Sequence, residues 1–552
     1  MQSVSERIAG WVAGLGWDDV PERVKALARH QTMSVLAALH AGVDDEAAQQ
    51  VERVALAGAA SGPCTALPTG EKLPIERALL LSSARSMALD FDDYLYMGHT
   101  GHSAVLGAWA LAEELGRSTK DVLLAQIIAN EVGARVGTSA VLGPQNGQAW
   151  SFIHAAEGAV LGSKLLGLDA AKTAHALGIA LYQPTFTLWP GFMGPGSKVL
   201  TAAGPTLTGI QAARLAAEGM TGAREIFEHP TKGFWSAFSF VPLPHVMTGF
   251  GSAWLSDTLT FKRYPGCAYI DTTLDALFEV MERFAAERGR PLAPDDVAGV
   301  RVEASLLTIE MDRLSREHVG ARLSPINVNF SIPFNVGIAI VAGRHSSEEL
   351  RQGFLDRHET AIRALAKKTR LRHDVTMSLD VAAAFDTVLG SASIARQLAP
   401  RDWLKVALGW QRTIARGTAA RPRDGRRRRP RLRLGATLAA LRRLGRFGAE
   451  RSRSSGAGTL DGVDFQAFRM CFPAKVTLEL ADGTQLSARQ DVPFGAPGQA
   501  RHLEAAVEKL RVEAGRRLGG EGASMLVERV RGFEQQPLDE LTRLTCRPRA
   551  AL

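Results

Sequence analysis

Cysteine is scarce in this 552-residue chain and never paired in sequence: it occurs four times, at Cys64, Cys267, Cys471 and Cys546. Structural zinc sites and iron–sulfur clusters usually draw on closely spaced cysteines, so neither site has its usual ligand spacing here. So few cysteines also fit a reducing compartment. The first residues lack the basic and apolar regions of a secretion signal, and we therefore expect a cytoplasmic protein.

Long hydrophobic runs are also missing. A stretch such as Ile332 to Ala342 is far shorter than the roughly 18 to 20 apolar residues that a membrane-spanning helix needs, and Pro333 and Gly337 interrupt it. We expect no transmembrane segment and no membrane partner. The 46% of hydrophobic and 22% of charged residues are instead typical of a folded globular protein, and the length predicts two or three domains.

The net charge of +8 is concentrated in one segment. Residues 411–453 contain fifteen arginines and two acidic residues, a local charge of +13, whereas the rest of the chain carries 50 basic and 55 acidic residues. The Arg-rich segment at about 411–455 has three interpretations: a solvated insertion, a patch for RNA or an acidic partner, or a stretch translated in the wrong frame. We assign no chemistry to it.

Two periodicities divide the chain. Up to about residue 260, apolar residues recur at helical spacing, and small residues are frequent from Ala155 to Ala217, which predicts a tightly packed helical bundle. Beyond Pro265 the period changes to the alternation of strands, in Val300–Ala304 and in the segment from Ala474 that precedes the Asp482-Gly483 turn. A helical pattern returns at Leu503 to Ala514. These patterns predict a mainly α protein with a smaller α+β part and an antiparallel sheet.

The stretch from Ala88 to Ser103 carries the densest set of reactive side chains, with three aspartates, two tyrosines and two histidines. Carboxylates beside histidines are the ingredients of a general acid–base site. Two other interpretations stay open: the aspartates cap a helix and the glycines shape a turn, or the histidines and aspartates bind a metal ion. Because no H-E-x-x-H motif or further cluster of ligands accompanies them, we expect neither a metal nor a cofactor.

Five segments in order resemble signatures of the MmgE/PrpD family, which includes 2-methylcitrate dehydratase and cis-aconitate decarboxylase. The stretch from Ala88 to Ser103, with Asp90-Phe-Asp-Asp93 and His102-Ser103, is similar to the family's D-[FY]-D-D-x…H-x-S motif. The other four resemble its histidine-bearing helix, its lysine segment, its K-x-Y-P-x-C strand entry and its S-[LI]-P-[YF] helix start; they are Ser151–Asp169, Pro195–Lys198, Phe261–Cys267 and Phe330–Phe334. The resemblance covers roughly residues 5 to 385 and 465 to 548.

The resemblance implies a set of site residues. The family's acidic residue, its usual threonine, its second histidine and its two lysines correspond to Asp90, Tyr94, His154, Lys198 and Lys262. The family's first histidine corresponds to His99 when the spacing to the next helix is counted, and to His102 when the His-Ser pattern is followed. Both stay candidates.

Three positions depart from the family's decarboxylases. Phe334 stands where some of them have a tyrosine, Cys267 where they have a histidine, and Thr201 where many members have a histidine shortly after the lysine. These departures count against decarboxylation of cis-aconitate itself. They count less against dehydration or another proton transfer.

The residue types fit chemistry on a polycarboxylate. Lys198, Lys262 and Arg263 offer cations for substrate carboxylates and for the enolate-like charge that develops when an α-proton leaves. A histidine held by Asp90 is a suitable acid for a departing hydroxide. The sequence therefore predicts a β-elimination that needs no cofactor, with one histidine as base and another as acid.

The resemblance also implies an architecture and an assembly. We expect a helical domain formed by residues 1–263 and 498–552, an α+β lid domain formed by residues 264–497, a site in the cleft between them, and a homodimer. The predicted function is a dehydratase-type lyase acting on a small polycarboxylic acid. A decarboxylase or an epimerase of the same family is the alternative, and an inactive scaffold that binds RNA or an acidic partner through the Arg-rich segment is an alternative of another class.

Overall fold

The computed structural model describes residues 2–144, 147–148, 150–417 and 458–547. The fold is mainly α-helical, which confirms the predicted fold class. Most of the predicted Arg-rich segment lies outside the described residues; its first residues end the helix Pro400–Gly417. The α-helices of the described ranges are Val4–Gly14, Glu22–Gly42, Glu46–Leu56, Ile75–Met87, Gly101–Leu115, Thr119–Ser139, Trp150–Leu166, Ala170–Leu181, Trp189–Phe192, Ala203–Ala217, Phe234–Phe238, Asp271–Arg288, Leu306–Arg316, Pro325–Val328, Ile332–Ala342, Gln352–Lys368, Val375–Thr387, Ile394–Gln397, Pro400–Gly417, His502–Arg531 and Leu538–Thr545.

Small residues bring two bundle helices into backbone contact. A Cβ atom added to Gly158 would lie 2.2 Å from the carbonyl oxygen of Thr206, and one added to Gly209 would lie 2.2 Å from that of Ala155. Only glycine fits at these crossing points, because a side chain would force the helices Trp150–Leu166 and Ala203–Ala217 apart. The predicted close packing of the bundle is confirmed.

The chain returns to the bundle near its end, as the helical pattern at Leu503 to Ala514 predicts. The helix His502–Arg531 packs along the helix Glu22–Gly42. Buried Lys509 donates a hydrogen bond to Ser34 Oγ at 3.0 Å. The helix that packs along Glu22–Gly42 therefore comes from the far end of the sequence.

The principal sheet has four strands and is mixed. The predicted strands are present as Val297–Ala304 and Ala474–Leu480, which pair antiparallel, and Gln485–Gln490 continues the sheet through the turn at Gly483. The fourth strand, Thr369–His373, runs parallel to Val297–Ala304. The sheet is antiparallel, as predicted, except at this strand, because the chain crosses over through helices before Thr369 instead of turning back directly. The two-residue and three-residue strands elsewhere are Cys64–Ala66, Glu71–Leu73, Asp93–Tyr94, Gly147–Gln148, Thr187–Leu188 and Thr260–Phe261.

Apolar packing does not follow a single boundary between bundle and lid. The helix Asp271–Arg288 covers the sheet, and Leu277 shares a cluster with Val302 and Val476. Phe385 and Phe468, by contrast, belong to the large core of the helical bundle. The predicted domain boundaries stay predictions. Among the described residues, no helix combines the length and hydropathy that a membrane crossing would need.

One short pairing positions the site. The strand Asp93–Tyr94 pairs with Thr260–Phe261, so the chain around Asp90 lies beside the chain that continues to Lys262. Asp90 has a φ of +52°, in the left-handed region that aspartate tolerates better than most residues. This turn follows the helix Ile75–Met87 and precedes the helix Gly101–Leu115.

Candidate active site

Asp90 lies between the two predicted lysines. Its Oδ1 is 3.0 Å from Lys198 Nζ and its Oδ2 is 3.0 Å from Lys262 Nζ. Both lysine side chains are fully buried. The structure therefore brings three of the predicted site residues together as a buried carboxylate shared by two ammonium groups.

Asp92 is the carboxylate that holds the histidines. Its Oδ2 is 2.7 Å from His99 Nδ1 and 3.1 Å from His102 Nε2, and its Oδ1 accepts a hydrogen bond from Lys262 at 2.7 Å. The expectation that Asp90 holds a histidine is wrong, because both oxygens of Asp90 are engaged by lysines. The other ring nitrogen of His102 bonds Ser86 Oγ at 2.8 Å, whereas the His99 side chain is 22% exposed.

His154 is buried on the helix Trp150–Leu166. Its Nδ1 is 2.7 Å from Ser103 Oγ and 3.2 Å from Glu157 Oε2. Its Nε2 has no hydrogen-bond partner among the described residues. Burial lowers the pKa of His154, although Glu157 opposes the shift, and His102 and His99 are near enough to lower it further. A neutral imidazole with an unoccupied nitrogen is suited to accept a proton.

The lysines and aspartates of the site shift one another's pKa values. Burial alone would raise the pKa of Asp90, but Lys198 and Lys262 together lower it. Burial alone would lower the pKa of Lys262, but Asp90 and Asp92 raise it. For Lys198 burial outweighs its pairing with Asp90, and its pKa is lowered. The two lysines are therefore not equivalent: Lys262 is held charged, and Lys198 gives up its proton more easily.

Tyr94 lies at the edge of this cluster and Arg263 lies apart from it. The Tyr94 ring is 5.9 Å from the His99 ring, and burial raises the pKa of its hydroxyl well above the usual value. Arg263 is half-exposed; its guanidinium is 3.3 Å from Asp275 Oδ1 and stacks over Phe494 at 4.5 Å. The structure does not bring Arg263 to the lysines.

At the three positions that depart from the family's decarboxylases, the side chains of this protein do not replace the tyrosine and the histidines that stand there in the family. Burial raises the pKa of the Cys267 thiol, so it is held neutral beside Asp90 and Lys262. Thr201 donates its hydroxyl to the carbonyl oxygen of Lys198 at 2.7 Å. Phe334 packs beneath Arg363 and against the apolar cluster that includes Leu89 and Phe91, the neighbours of Asp90 in the chain.

Lys509 is a buried residue beside the site that the sequence does not reveal. Its buried ammonium donates to the carbonyl oxygens of Phe91 and Asp92, and it lies 4.1 Å from the Phe91 ring centroid. Burial lowers its pKa to about 7. It also lines an open cavity of about 580 Å³ between the helix His502–Arg531 and the sheet side of the molecule. Lys509 thus fixes the backbone of the loop that carries the site aspartates.

Taken together, the fold and the site define a mainly helical protein with a buried lysine, aspartate and histidine centre, suited to acid–base chemistry on an anion. Within the ranges that the structure describes, no group of three or more histidine, cysteine or acidic side chains is arranged to hold a metal ion.

Comparison with known proteins finds a family model for part of the chain. The model of the MmgE/PrpD N-terminal domain matches residues 6–244. This match confirms, for that part of the chain, the resemblance that the motifs predict. The matched residues include Asp90, both candidate first histidines, His154 and Lys198.

Two relatives carry a related name. A cis-aconitate decarboxylase from Aspergillus terreus (strain NIH 2624 / FGSC A1156) is 26% identical over 299 residues, which are 51% of this chain and 61% of that protein. A cis-aconitate decarboxylase-like protein oryM from Aspergillus oryzae (strain ATCC 42149 / RIB 40) is 23% identical over 310 residues, which are 52% of this chain and 64% of that protein. The chain therefore matches less than two thirds of the length of each relative.

Proposed function

We propose that this chain is a lyase of the dehydratase type that removes a proton from the carbon next to a carboxylate of a small polycarboxylic acid. The observation that carries the proposal is the buried pair of lysines that share Asp90 beside three histidines. Burying cations in this way is costly unless anions compensate them, so a site that holds two lysines is prepared for anionic groups.

The two lysines have different parts in this proposal. Lys262 donates to three acceptors, the carbonyl oxygen of Asp90 and one carboxylate oxygen each of Asp90 and Asp92, which uses its three hydrogens. Among the described residues, Lys198 Nζ lies 3.0 Å from Asp90 Oδ1. When the side-chain amide of Asn329 is turned so that its oxygen faces the lysine, that oxygen lies 3.2 Å from Lys198 Nζ. Lys198 keeps at least one hydrogen for a substrate carboxylate, while Lys262 holds the aspartates in place.

Two side chains supply the proton transfers. His154 takes the α-proton on its unoccupied Nε2. His99, oriented by Asp92 and partly exposed, gives a proton to the departing hydroxyl group, which leaves as water. The electron pair of the broken C–H bond forms the carbon–carbon double bond, and Lys198 stabilises the negative charge that develops on the carboxylate meanwhile. Both ring nitrogens of His102 are bonded, so His102 orients Asp92.

Decarboxylation is the second candidate, because the relatives are named cis-aconitate decarboxylase and a protein like it. In that reaction a carboxylate leaves as carbon dioxide and the carbanion takes a proton at carbon. Lys198 would stabilise the carbanion in the same way, and a protonated histidine would supply the proton. No cofactor is required by either proposal.

A product assay separates the two reactions. The protein is incubated, with and without EDTA, with citrate-like and aconitate-like acids including 2-methylcitrate and cis-aconitate, and the organic products and carbon dioxide are measured. Alkene formation without carbon dioxide supports dehydration, and carbon dioxide release supports decarboxylation. Lys198→Ala should abolish either activity, and Lys232→Ala, at an exposed lysine, is the matched control. A protein that leaves every acid unchanged would contradict the proposal.

We further propose that the chain acts as a cytoplasmic homodimer. The scarcity of cysteine supports the compartment, and the family resemblance supports the assembly. Light scattering after gel filtration measures the assembly directly: a mass of twice 59.3 kDa is expected, and a monomer across the working concentrations would contradict it.

A further inference from the structure

Glu157 is a buried carboxyl group that the proposed reaction leaves unused. It lies on the helix of His154, nearly one turn further along, and its side chain is fully buried. Its Oε2 contacts Ser103 Oγ and lies 3.2 Å from His154 Nδ1. Its Oε1 has no hydrogen-bond partner among the described residues. The fold makes room for this group, since a Cβ atom at Gly133 would lie 2.0 Å from that Oε1.

The contacts of Ser103 decide which nitrogen of His154 carries a hydrogen. A serine hydroxyl has one hydrogen and two lone pairs. Ser103 Oγ lies 3.0 Å from the carbonyl oxygen of Thr100, 2.7 Å from His154 Nδ1 and against Glu157. If the hydroxyl donates to either oxygen, it must accept from Nδ1, which then bears a hydrogen. If it donated to Nδ1 instead, Nε2–H would be a buried donor without a partner, which is costly.

The surroundings of Glu157 decide its charge. No ammonium or guanidinium group contacts it within the described part of the chain, and one of its oxygens lacks any donor. The ionisable groups that face the pair are Asp93, His99 and His102. Burial raises the pKa of Glu157, and nearby Asp93 raises it further, although His154 and Ser103 oppose the shift. A protonated Glu157 can also donate to Ser103, which satisfies a lone pair of that hydroxyl.

We propose that Glu157 is a neutral, protonated positioning residue that, together with Ser103, holds His154 in the tautomer with its hydrogen on Nδ1 and its lone pair on Nε2. The proposal deepens the proposed function, because it specifies how the base of that reaction is made ready. A free imidazole exchanges between tautomers and rotates, whereas this one is fixed with the accepting nitrogen unoccupied. Glu157 itself touches neither substrate nor transferred proton.

The first test reads the tautomer without any substrate. The protein is labelled with ¹⁵N-histidine, long-range ¹H–¹⁵N spectra are recorded at neutral pH, and the His154 signals are identified by their loss in His154→Gln. We expect a protonated Nδ1 and an unprotonated Nε2. Two protonated nitrogens, which mean an ion pair with a charged Glu157, would overturn the proposal, and so would a hydrogen on Nε2 alone. Because no substrate is present, this result stands even if the proposed reaction proves wrong.

The second test uses turnover and its dependence on pH. Glu157→Ala removes a partner of the imidazole, and we expect kcat to fall about 10- to 100-fold with little change in KM, since a misplaced catalytic group commonly costs this much. Glu157→Gln keeps a neutral donor for Ser103 and should recover most of that loss. The midpoint of the acid limb of kcat/KM should be the same in Glu157→Gln as in wild type.

The pH profile also separates the proposal from a charged dyad. If Glu157 were ionised, Glu157→Gln would remove a negative charge beside the base and move the acid limb to lower pH by about one unit or more. That shift would overturn the proposal. Equal losses in the Ala and Gln variants, with unchanged folding, would overturn it as well, because they would mean that the carboxyl group acts through its charge.

Discussion

Lys262 reaches Asp90 twice, donating from one ammonium group to its carbonyl oxygen at 2.7 Å and to its carboxylate at 3.0 Å. The backbone contact stabilises the left-handed turn at Asp90, and the side-chain contact fixes the carboxylate between the two lysines. One buried cation thus sets both the conformation and the charge of the site loop.

Neutralising this carboxylate should destabilise the protein strongly. Asp90→Asn leaves two buried ammonium groups with less compensation, and breaking a buried ion pair commonly costs about 3–5 kcal/mol of unfolding free energy. Denaturant unfolding measures the loss. Asp356→Asn, at the exposed pair with Arg322, is the matched control and should cost far less. Equal losses in the two variants would contradict the central place given to Asp90.

His154 and Lys198 should be essential for turnover but not for folding. Without the proposed base, or without the ammonium group that stabilises developing negative charge, we expect His154→Ala and Lys198→Ala each to lose about 100-fold or more in kcat. Circular dichroism checks that both variants fold. Near-wild-type kinetics in either variant would remove that residue from the mechanism.

The buried His40 leads us to predict how the stability of the protein depends on pH. Burial lowers its pKa from 6.5 to about 3, and neither ring nitrogen has a hydrogen-bond partner in the described structure. Between these two pH values the unfolded chain binds a proton that the folded chain does not, so this group destabilises the fold as the pH falls below 6.5. His40→Leu should therefore stabilise the protein by about 2 kcal/mol more at pH 5 than at pH 8.

Denaturant unfolding of wild type and variant at the two pH values measures this difference. His229→Leu, at an exposed histidine, is the matched control. If His40→Leu shifted stability equally at pH 5 and pH 8, the buried imidazole would not be held neutral.

Lys509 should control the order of the site loop. In Lys509→Met the carbonyl oxygens of Phe91 and Asp92 lose their donor, so we expect faster amide hydrogen exchange in residues 90–95 and a fall in kcat/KM. Mass spectrometry of exchanged peptides measures the first effect. Lys120→Met, at an exposed lysine, is the control. Unchanged exchange in the loop would mean that Lys509 does not support it.

The sequence predicts which residues form the site better than it predicts the contacts that each of them makes. Asp90, Lys198 and Lys262 lie in ordered motifs, and they meet in the structure. Arg263 follows Lys262 directly, yet the two cations diverge: Lys262 contacts Asp90 and Asp92, whereas Arg263 contacts Asp275. Lys509 reaches Phe91 from 418 residues away, and no local pattern marks such a contact.

Prediction of the fold from the sequence has the same limit. Helical periodicity predicts the bundle, and alternation predicts Val300–Ala304 and the strand from Ala474. The strand Thr369–His373 is not predicted from the sequence, because its five residues include only one apolar side chain, Leu371. Its neighbour in the sheet is parallel, so no hairpin turn marks the strand in the sequence. In the structure, both carboxylate oxygens of Asp90 contact lysines, and Asp92, not Asp90, contacts the histidines. These contacts depend on tertiary geometry, which the spacing of residues in the sequence does not encode.

Abstraction of an α-proton from a polycarboxylic acid underlies the proposed function, and solvent exchange detects this step even without turnover. The protein is incubated in deuterated water with citrate-like and aconitate-like acids, and proton NMR follows the carbon next to each carboxylate. We expect deuterium to enter that carbon, or elimination to occur, with wild type and with Lys232→Ala but not with His154→Ala. Exchange that persists in His154→Ala, or no exchange and no turnover of any acid by the folded wild type, would contradict it.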